Sequence, residues 1–294
     1  MKGIVLAGGS GTRLHPTTLG VSKQLIPVYD KPLVYYSVTT LMLAGLREIL
    51  VISGPADVGS YQQLMGSGVQ WGIELSYQVQ PEPRGIAQAF QVGADFVAGD
   101  SCALVLGDNI LHGSGLSLKL QAAARLQQGA VVFGYWVSDP REYGVVTLDG
   151  HGRPLAIQEK PERPQSHWAV IGLYFFDSEV TRWTAQLQPS DRGEYEITDL
   201  IRAYLDKGQL QVELLGRGYA WLDAGTPDSL LEAATFVHIL EKRQGFKIAC
   251  PEEVAFRMGF INRPQFADLI DAMPASDYAR YLRAVLETGL SDTD

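Results

Sequence analysis

The sequence predicts an α/β fold built on a doubly wound, mostly parallel (Rossmann-like) sheet, with added antiparallel strands and C-terminal helices. The first observation is a recurring apolar run that stops at or beside glycine or a polar turn, at Gly3 to Ala7, Arg47 to Ser53 and Ala103 to Gly107. Such runs are the mark of parallel strands buried on both faces. The second is the helical pattern between and after them: Lys31 to Ala44 with Pro32 in its first turn and Gly45 as its stop, then Ile86 to Val97, then Leu116 to Gln127. The third is a change of texture from Ala130 to about Phe176, where strand-like runs follow one another and Asp149, Gly150 and Gly152 mark a hairpin.

In chain order, β-α-β-α alternation places any ligand beyond the strand C-termini, so Gly8 and Asp108, where the first and third strands end, become candidate site positions. Glu196 to Lys207 reads as an amphipathic helix closed by Gly208, followed by a strand at Gln211 to Leu215 and the segment Tyr219 to Thr226. From Pro227 onward the pattern is mostly helical. No repeats or long Pro or Ser linkers divide the chain, so these helices are expected to pack on the core.

Composition sets the outer limits. A chain of 294 residues with 46% hydrophobic and 19% charged residues is long enough for one large domain or two small ones. Its net charge of -9 argues against nucleic acid or an anionic membrane as partner. An anionic small substrate would need cations gathered locally against that sign, which makes each Lys or Arg beside a glycine loop informative. The cysteines, Cys102 and Cys250, have no metal-site or redox spacing and read as inert thiols. The histidines lack paired metal spacing. The N-terminal apolar run is too short for a signal h-region and no later apolar stretch could span a bilayer, so a cytoplasmic protein is expected.

The segment Leu6, Ala7, Gly8, Gly9, Ser10, Gly11, Thr12, Arg13 offers several unobstructed backbone N–H groups and a guanidinium, the chemistry of a phosphate cradle. A dinucleotide fingerprint fails, because Leu14 stands where the third glycine belongs and Pro16 interrupts the helix that should begin there. A Walker A loop fails too, since no Gly-Lys-Ser/Thr follows. A plain glycine turn would account for Gly8 and Gly9 but leaves Arg13 and Lys23 unmotivated.

The same residues open a longer series. Leu6 to Arg13 with Ser22, Lys23, Gln24, Leu25 and Pro27 is followed by Gln80, Pro81, Gly85 to Gln88, and then Leu106 to Asn109. Tyr143 and Gly144, Glu159 to Pro161, and Trp221, Leu222, Asp223 and Thr226 complete it. In this order, across nearly the whole chain, the series resembles the sugar-1-phosphate nucleotidyltransferases, and most closely those that use dTTP and glucose 1-phosphate. The resemblance implies transfer of a thymidylyl group with release of pyrophosphate, magnesium as cofactor, a role in supplying deoxysugars such as rhamnose, and a homotetramer. It also leaves open a uridylyl or guanylyl transfer to another sugar phosphate, or a sensing subunit without activity.

The resemblance assigns roles to this chain's residues. Gly8, Gly9, Ser10, Gly11, Thr12, Arg13, Lys23 and Gln24 would hold the triphosphate, with Gln80 and Gly85 at the base. Asp108 and Asp223 match magnesium carboxylates, and hard oxygen ligands suit that ion. Asn109, Tyr143, Gly144, Glu159, Lys160 and Val170 would hold the sugar phosphate, with Lys160 on its phosphate and Glu159 on its hydroxyls. Arg13, Lys23, Asp108, Lys160 and Asp223 are the catalytic set. Each carries a plainer reading as well: a capping aspartate, a surface lysine, an exposed Glu–Lys pair, a buried turn glutamine or, for Val170, a core strand residue.

The chain then divides into a core over residues 1–240, with a nucleotide part over about 1–129 and a sugar-phosphate part over about 130–226, and a C-terminal helical segment over 241–294. That last segment, with Ala249 to Phe260, Glu253, Arg257 and the earlier Arg217, resembles a regulatory nucleotide-sugar site; an ordinary helix with an i, i+4 ion pair is the alternative. Close relatives carry His and Glu where this chain has Ser117 and Leu118, which leaves feedback by dTDP-rhamnose open. Ile171 also replaces the small or kinked residue common at its position.

Overall fold

A computed structural model describes residues 1–9 and 11–289. Its centre is a nine-stranded sheet whose main path runs Pro154–Glu159, Gly144–Leu148, Trp168–Phe176, Cys102–Leu106, Lys2–Ala7, Glu48–Ser53 and Glu74–Val79. Lys2–Ala7 pairs in parallel with Glu48–Ser53 on one side and Cys102–Leu106 on the other, and Glu48–Ser53 pairs in parallel with Glu74–Val79. The later strands join antiparallel: Trp168–Phe176 lies against Cys102–Leu106, Ala130–Trp136 and Gly144–Leu148. Leu210–Leu215 then adds in parallel to Ala130–Trp136.

The strands are apolar along their length because both faces of the sheet are covered. Val5, Ala7, Ile49, Val51, Ala103 and Val105 face one core, shared with the helix Leu33–Leu43 and the C-terminal helices. Their neighbours Ile4, Leu6, Leu50, Ile52, Cys102 and Leu104 face a second core, closed by Ile197, Leu200, Ile201 and Tyr204 of the helix Ile197–Asp206. A period of two residues therefore sorts each strand between two layers. Both cysteines are free and buried. Among the described residues, no helix is long and apolar enough to cross a membrane.

The expected elements are present with corrections at their ends. The helix expected over Ile86 to Val97 is two short ones, Gln88–Val92 and Ala94–Val97. Gly93 divides them, held where a Cβ would come within 3.1 Å of the Ala89 carbonyl oxygen. Lys31 and Pro32 are not helical: they form a two-residue strand with Pro27–Val28, and the helix begins at Leu33. Among the elements not foreseen are the edge strand Glu74–Val79, the helix Val58–Met65, the short strand Asn109–His112 and the short helix Val180–Thr184.

A separate two-stranded sheet, Asn109–His112 against Ala220–Asp223, stands at the C-terminal end of the central strands. Thr226 caps the helix Pro227–Gln244 that follows, with its hydroxyl accepting from the Ser229 backbone N–H and Pro227 in the first turn. The far end of this helix is tied to the N-terminal part of the chain. Lys31, only 3% exposed, donates to Asp30 and Glu241, while Lys247 pairs with the same two carboxylates.

Candidate active site

The site is built where strands end. Gly107 donates its N–H to the Leu6 carbonyl at 2.9 Å. A Cβ there would lie 3.0 Å from that oxygen and 3.2 Å from the Ala7 Cα, so the ends of the two strands meet closely because residue 107 has no side chain. Gly8 is as tightly placed, since a Cβ would stand 2.6 Å from Gln80 Oε1. Gln80 itself is buried, and its Nε2 donates to Gln88 Oε1 at 2.7 Å, an oxygen that also accepts from the Arg84 backbone N–H at 3.0 Å. Gln24 donates from Nε2 to the Gly8 carbonyl at 3.3 Å.

Antiparallel register puts Asp223 opposite Asn109, next to Asp108, and the Ala224 N–H donates to the Asp108 carbonyl at 3.1 Å. The carboxylates differ in company. Asp108 Oδ2 accepts from Lys23 Nζ and its Oδ1 from Asn109 Nδ2 at 2.8 Å. Asp223 Oδ1 is buried with no hydrogen-bond partner. Burial, and then the negative charge of Asp108, push the Asp223 carboxyl above its ordinary range, against the opposing pull of Lys23, Arg13 and Lys160. Gly225 keeps this corner open: a Cβ there would lie 2.9 Å from Asp223 Oδ1 and 3.0 Å from Arg13 Nη2.

Asn109 is a hub. Its Oδ1 accepts from Trp221 Nε1 at 2.6 Å and from the Gly172 N–H at 3.1 Å, which joins the two-stranded sheet to the central one. The Tyr143 ring packs edge-on against Trp221, with centroids 5.0 Å apart. Lys160 follows the strand Pro154–Glu159 in a left-handed conformation, φ 39°, its N–H donating to the Tyr143 carbonyl at 3.0 Å. A non-glycine residue held there is costly, by roughly 1 kcal/mol or more, and turns the lysine out of the strand direction. At Gly144 a Cβ would meet Thr198 Cγ2 at 2.9 Å. Thr198 Oγ1 is buried without a partner and Thr198 lines the same cavity.

The cavity measures about 630 Å³. Gly8, Gly9, Arg13, Gln24, Gln80, Gly85, Asp108, Asn109, Tyr143, Gly144, Glu159, Lys160, Val170 and Asp223 all line it, so expectations drawn from widely separated segments converge on one space. Val170 is both a buried strand residue and a wall. Gly11, Thr12 and Lys23 are not among the lining residues; Gly11 is left-handed at φ 58°, and Lys23 is engaged with Asp108. Ser10 lies outside the described residues.

The sequence reading missed Arg192, Glu196 and Thr198, which also line the cavity. Arg192 donates from Nη2 to Glu196 Oε1 at 2.9 Å and to Glu159 Oε1 at 3.3 Å. The available signal was an arginine in the polar turn just before a helix start, a place where backbone and side-chain donors gather.

Arg217, Glu253 and Arg257 lie away from this cavity. Arg217 lines a second one, of about 570 Å³, with Tyr135, Trp136, Trp168 and Tyr219. Arg257 Nε donates to Glu253 Oε1 at 2.7 Å, and Tyr281 donates to the other Glu253 oxygen. Neither Glu253 nor Arg257 lines the Arg217 cavity. Ser117 and Leu118 sit in the first turn of the helix Leu116–Ala124, with Leu118 exposed.

Residues 2–239 match the nucleotidyl transferase family. A glucose-1-phosphate thymidylyltransferase of Xanthomonas campestris pv. campestris is 55% identical over 288 residues, covering 98% of each chain. The protein of the same description from Mycobacterium tuberculosis is 52% identical over 287 residues, covering 98% of this chain and 99% of that one. Among solved structures, a Bacillus anthracis protein described as a glucose-1-phosphate thymidylyltransferase in complex with a sucrose superposes with a TM-score of 0.75 at 38% identity. That match covers 80% of this chain and 94% of the other. A UDP-glucose pyrophosphorylase complexed with UDP-glucose shares the fold, with a TM-score of 0.72 at 23% identity over 81% of this chain and 98% of that one.

Proposed function

The chain belongs to the nucleotidyl transferase family, and from that premise we propose that it joins dTTP and α-D-glucose 1-phosphate to give dTDP-glucose and pyrophosphate. The observation that carries this reading is the shared cavity: the glycine loop with Arg13 and Gln80 opens into the same space as Glu159, Lys160 and Val170, with Asp108 and Asp223 on its wall. The relatives that span almost the whole chain at 52 to 55% identity support it through the reaction in their names.

A phosphate oxygen of the sugar phosphate attacks the α-phosphorus of the nucleotide. A new P–O bond forms while the bond to the β-phosphate bridging oxygen breaks, and pyrophosphate leaves with that electron pair. No proton need move, because a phosphate monoester has its second pKa near ~6 and is mostly dianionic at neutral pH. The difficulty is bringing two anions together, so positioning and positive charge supply the catalysis.

Arg13, beside Gly225 at the Asp223 corner, faces the triphosphate together with Gly8 and Gly9 of the glycine loop. Lys23 extends this positive charge from behind Asp108. Lys160, turned out by its left-handed backbone, holds the sugar phosphate, with Arg192 beside Glu159 as a further cation on the same wall. Glu159 and the unpartnered Thr198 hydroxyl offer an acceptor and a donor to sugar hydroxyls. Gln80 presents Oε1 beside Gly8, toward the thymine edge. A methyl pocket gains only about 1 to 3 kcal/mol, so discrimination against UTP is modest on this contact.

Asp108 and Asp223 suit a magnesium ion: one carboxylate oxygen is buried and without a donor, next to a second carboxylate, and these two residues would hold the ion with oxygens of the substrate. When bound, magnesium supplies positive charge against the triphosphate. Among the described residues no group of three or more His, Cys, Asp or Glu is placed to hold a metal, so the pair Asp108 and Asp223 would rely on substrate oxygens.

The residue assignments are tested by a split in kinetic constants. Lys160→Ala is expected to raise KM for glucose 1-phosphate about 10- to 100-fold with little change for dTTP, and Arg13→Ala to do the reverse. Equal effects of both variants on both substrates would reject the division of the cavity.

A further inference from the structure

The base end of the cavity and its sugar-phosphate end come from segments far apart in sequence, and they are laced together at one place. The Tyr195 N–H donates to the Arg84 carbonyl at 2.8 Å, and the Ala87 N–H donates to the Tyr195 carbonyl at 3.1 Å. Between those bonds sits Gly85 at φ 99°, where a Cβ would lie 2.5 Å from the Tyr195 carbonyl oxygen. The Arg84 guanidinium lies over the Tyr195 ring, 5.5 Å from its centroid.

Each side of this bridge continues into one subsite. The Arg84 N–H bonds the same Gln88 oxygen that fixes the Gln80 amide, so the orientation of Gln80 depends on where the loop sits. On the other side Glu196, the residue after Tyr195, accepts from Arg192 Nε at 3.2 Å and Nη2 at 2.9 Å, and Arg192 reaches on to Glu159. The Arg192 side chain is 44% exposed. An exposed long cation gains little from its ion pairs alone, so its position follows the backbone that carries its partner carboxylate.

We propose that Arg84 and Tyr195 are positioning residues that couple the two subsites: a base seated against Gln80 and Gly85 fixes residues 84–87, and through Tyr195 fixes Arg192 and Glu159 for the phosphorylated sugar. The inference rests on the placement of the nucleotide and the sugar phosphate given above. Neither side chain needs to touch a reacting atom. The coupling is reciprocal, because it is a free energy shared by two binding equilibria.

The probe is thymidine, which carries the base and no phosphate and so cannot meet the second substrate's phosphate directly. Glucose 1-phosphate is titrated calorimetrically into the full chain without thymidine and with thymidine at a concentration that its own titration shows to be saturating. Thymidine should tighten glucose 1-phosphate binding about 5-fold or more in the wild type, the lower end of ordinary site-to-site coupling. Arg84→Ala and Tyr195→Ala should lose that tightening while Tyr195→Phe, which keeps the ring, retains it. An unchanged Kd in the wild type, or full coupling in both alanine variants, overturns the proposal. Turnover of dTTP and glucose 1-phosphate measured alongside separates the two levels. Turnover without thymidine coupling removes the bridge alone, whereas no turnover and no binding of either ligand removes the substrate assignment beneath it.

Discussion

Asp223 and Asp108 stand side by side across a two-stranded sheet and are unequally served: both Asp108 oxygens have donors, while Asp223 Oδ1 is buried with none. Holding a buried carboxylate next to another in this way destabilises the free protein and prepares a place for positive charge.

The first prediction follows from the sign of that shift. The Asp223 carboxyl is raised by burial and by Asp108, so the folded state binds its proton more readily than the unfolded chain. Its ionisation therefore disfavours folding, and stability falls as pH rises from the unfolded value of about 3.9 through the raised folded one. At neutral pH, Asp223→Asn should raise the melting temperature of the ligand-free protein by about 2 to 4 °C and abolish turnover. Magnesium should raise the melting temperature of the wild type and leave the variant unmoved. A variant that melts lower and still turns over contradicts the assignment. Differential scanning fluorimetry with and without the metal measures both.

Lys23 is the partner that Asp108 depends on, with side chains 10% and 19% exposed. Lys23→Met leaves that carboxylate without its cation and, on the proposed placement of the nucleotide, removes positive charge behind the triphosphate. A fall of about 100-fold or more in kcat/KM for dTTP is expected, from the loss of a charge-assisted contact worth about 3 kcal/mol. Steady-state kinetics with dTTP varied decides it, and a change under threefold would place Lys23 outside the machinery.

Gly8 offers a steric test. A Cβ there would stand 2.6 Å from Gln80 Oε1, so Gly8→Ala must push the glutamine away from the base pocket. The expected outcome is a higher KM for dTTP, a kcat/KM ratio of dTTP to UTP moved toward unity, and an unchanged KM for glucose 1-phosphate. An equal rise in both KM values would show that the loop serves the cavity as a whole.

The ion-pair clamp that joins Asp30 and Lys31 to Glu241 and Lys247 should be visible in its pH dependence. Burial works to raise the Asp30 carboxyl, but Lys31 and the hydrogen bonds from Lys247 and Lys31 outweigh it and hold it below the usual range. A depressed folded pKa gives stability that is present above the unfolded value of about 3.9 and is lost as pH falls through the folded one. Lys247 works in the opposite window: burial lowers its pKa but Asp30 and Glu241 outweigh that and raise it, so its contribution is present below about 10.4 and is lost as pH rises through the folded value. Asp30→Asn should cost about 1 to 3 kcal/mol at pH 7 and flatten the loss of stability on acidification. Urea melts at pH 3 to 7 report it, and parallel curves for the two proteins would refute the clamp.

The parts of the fold that were legible in the sequence are those where local pattern and tertiary role agree. Strands buried on both faces must be apolar throughout, so Gly3–Ala7 and its companions stand out. The edge strand Glu74–Val79 does not, because its Gln78 and Ser76 give it a mixed texture and only its parallel partner defines it. Gly93 could not be read as a break, since its reason is a close approach to Ala89, Leu50 and Ile4 that exists only after folding. Lining residues of the candidate site were legible where they belong to the ordered series that resembles the family, as with Gly8, Arg13 and Asp223. Arg192 and Thr198 were missed because an arginine in a turn and a threonine at a helix start are ordinary until the cavity is assembled around them.

The central claim is that one cavity joins dTTP to glucose 1-phosphate, and pyrophosphate release tests it most directly. Initial rates with magnesium are measured for dTTP, UTP and GTP against glucose 1-phosphate and mannose 1-phosphate. The pair dTTP and glucose 1-phosphate should give the highest kcat/KM, with UTP a weaker second substrate and GTP and mannose 1-phosphate far behind. No pyrophosphate from dTTP and glucose 1-phosphate, or faster release from GTP with mannose 1-phosphate, would contradict it.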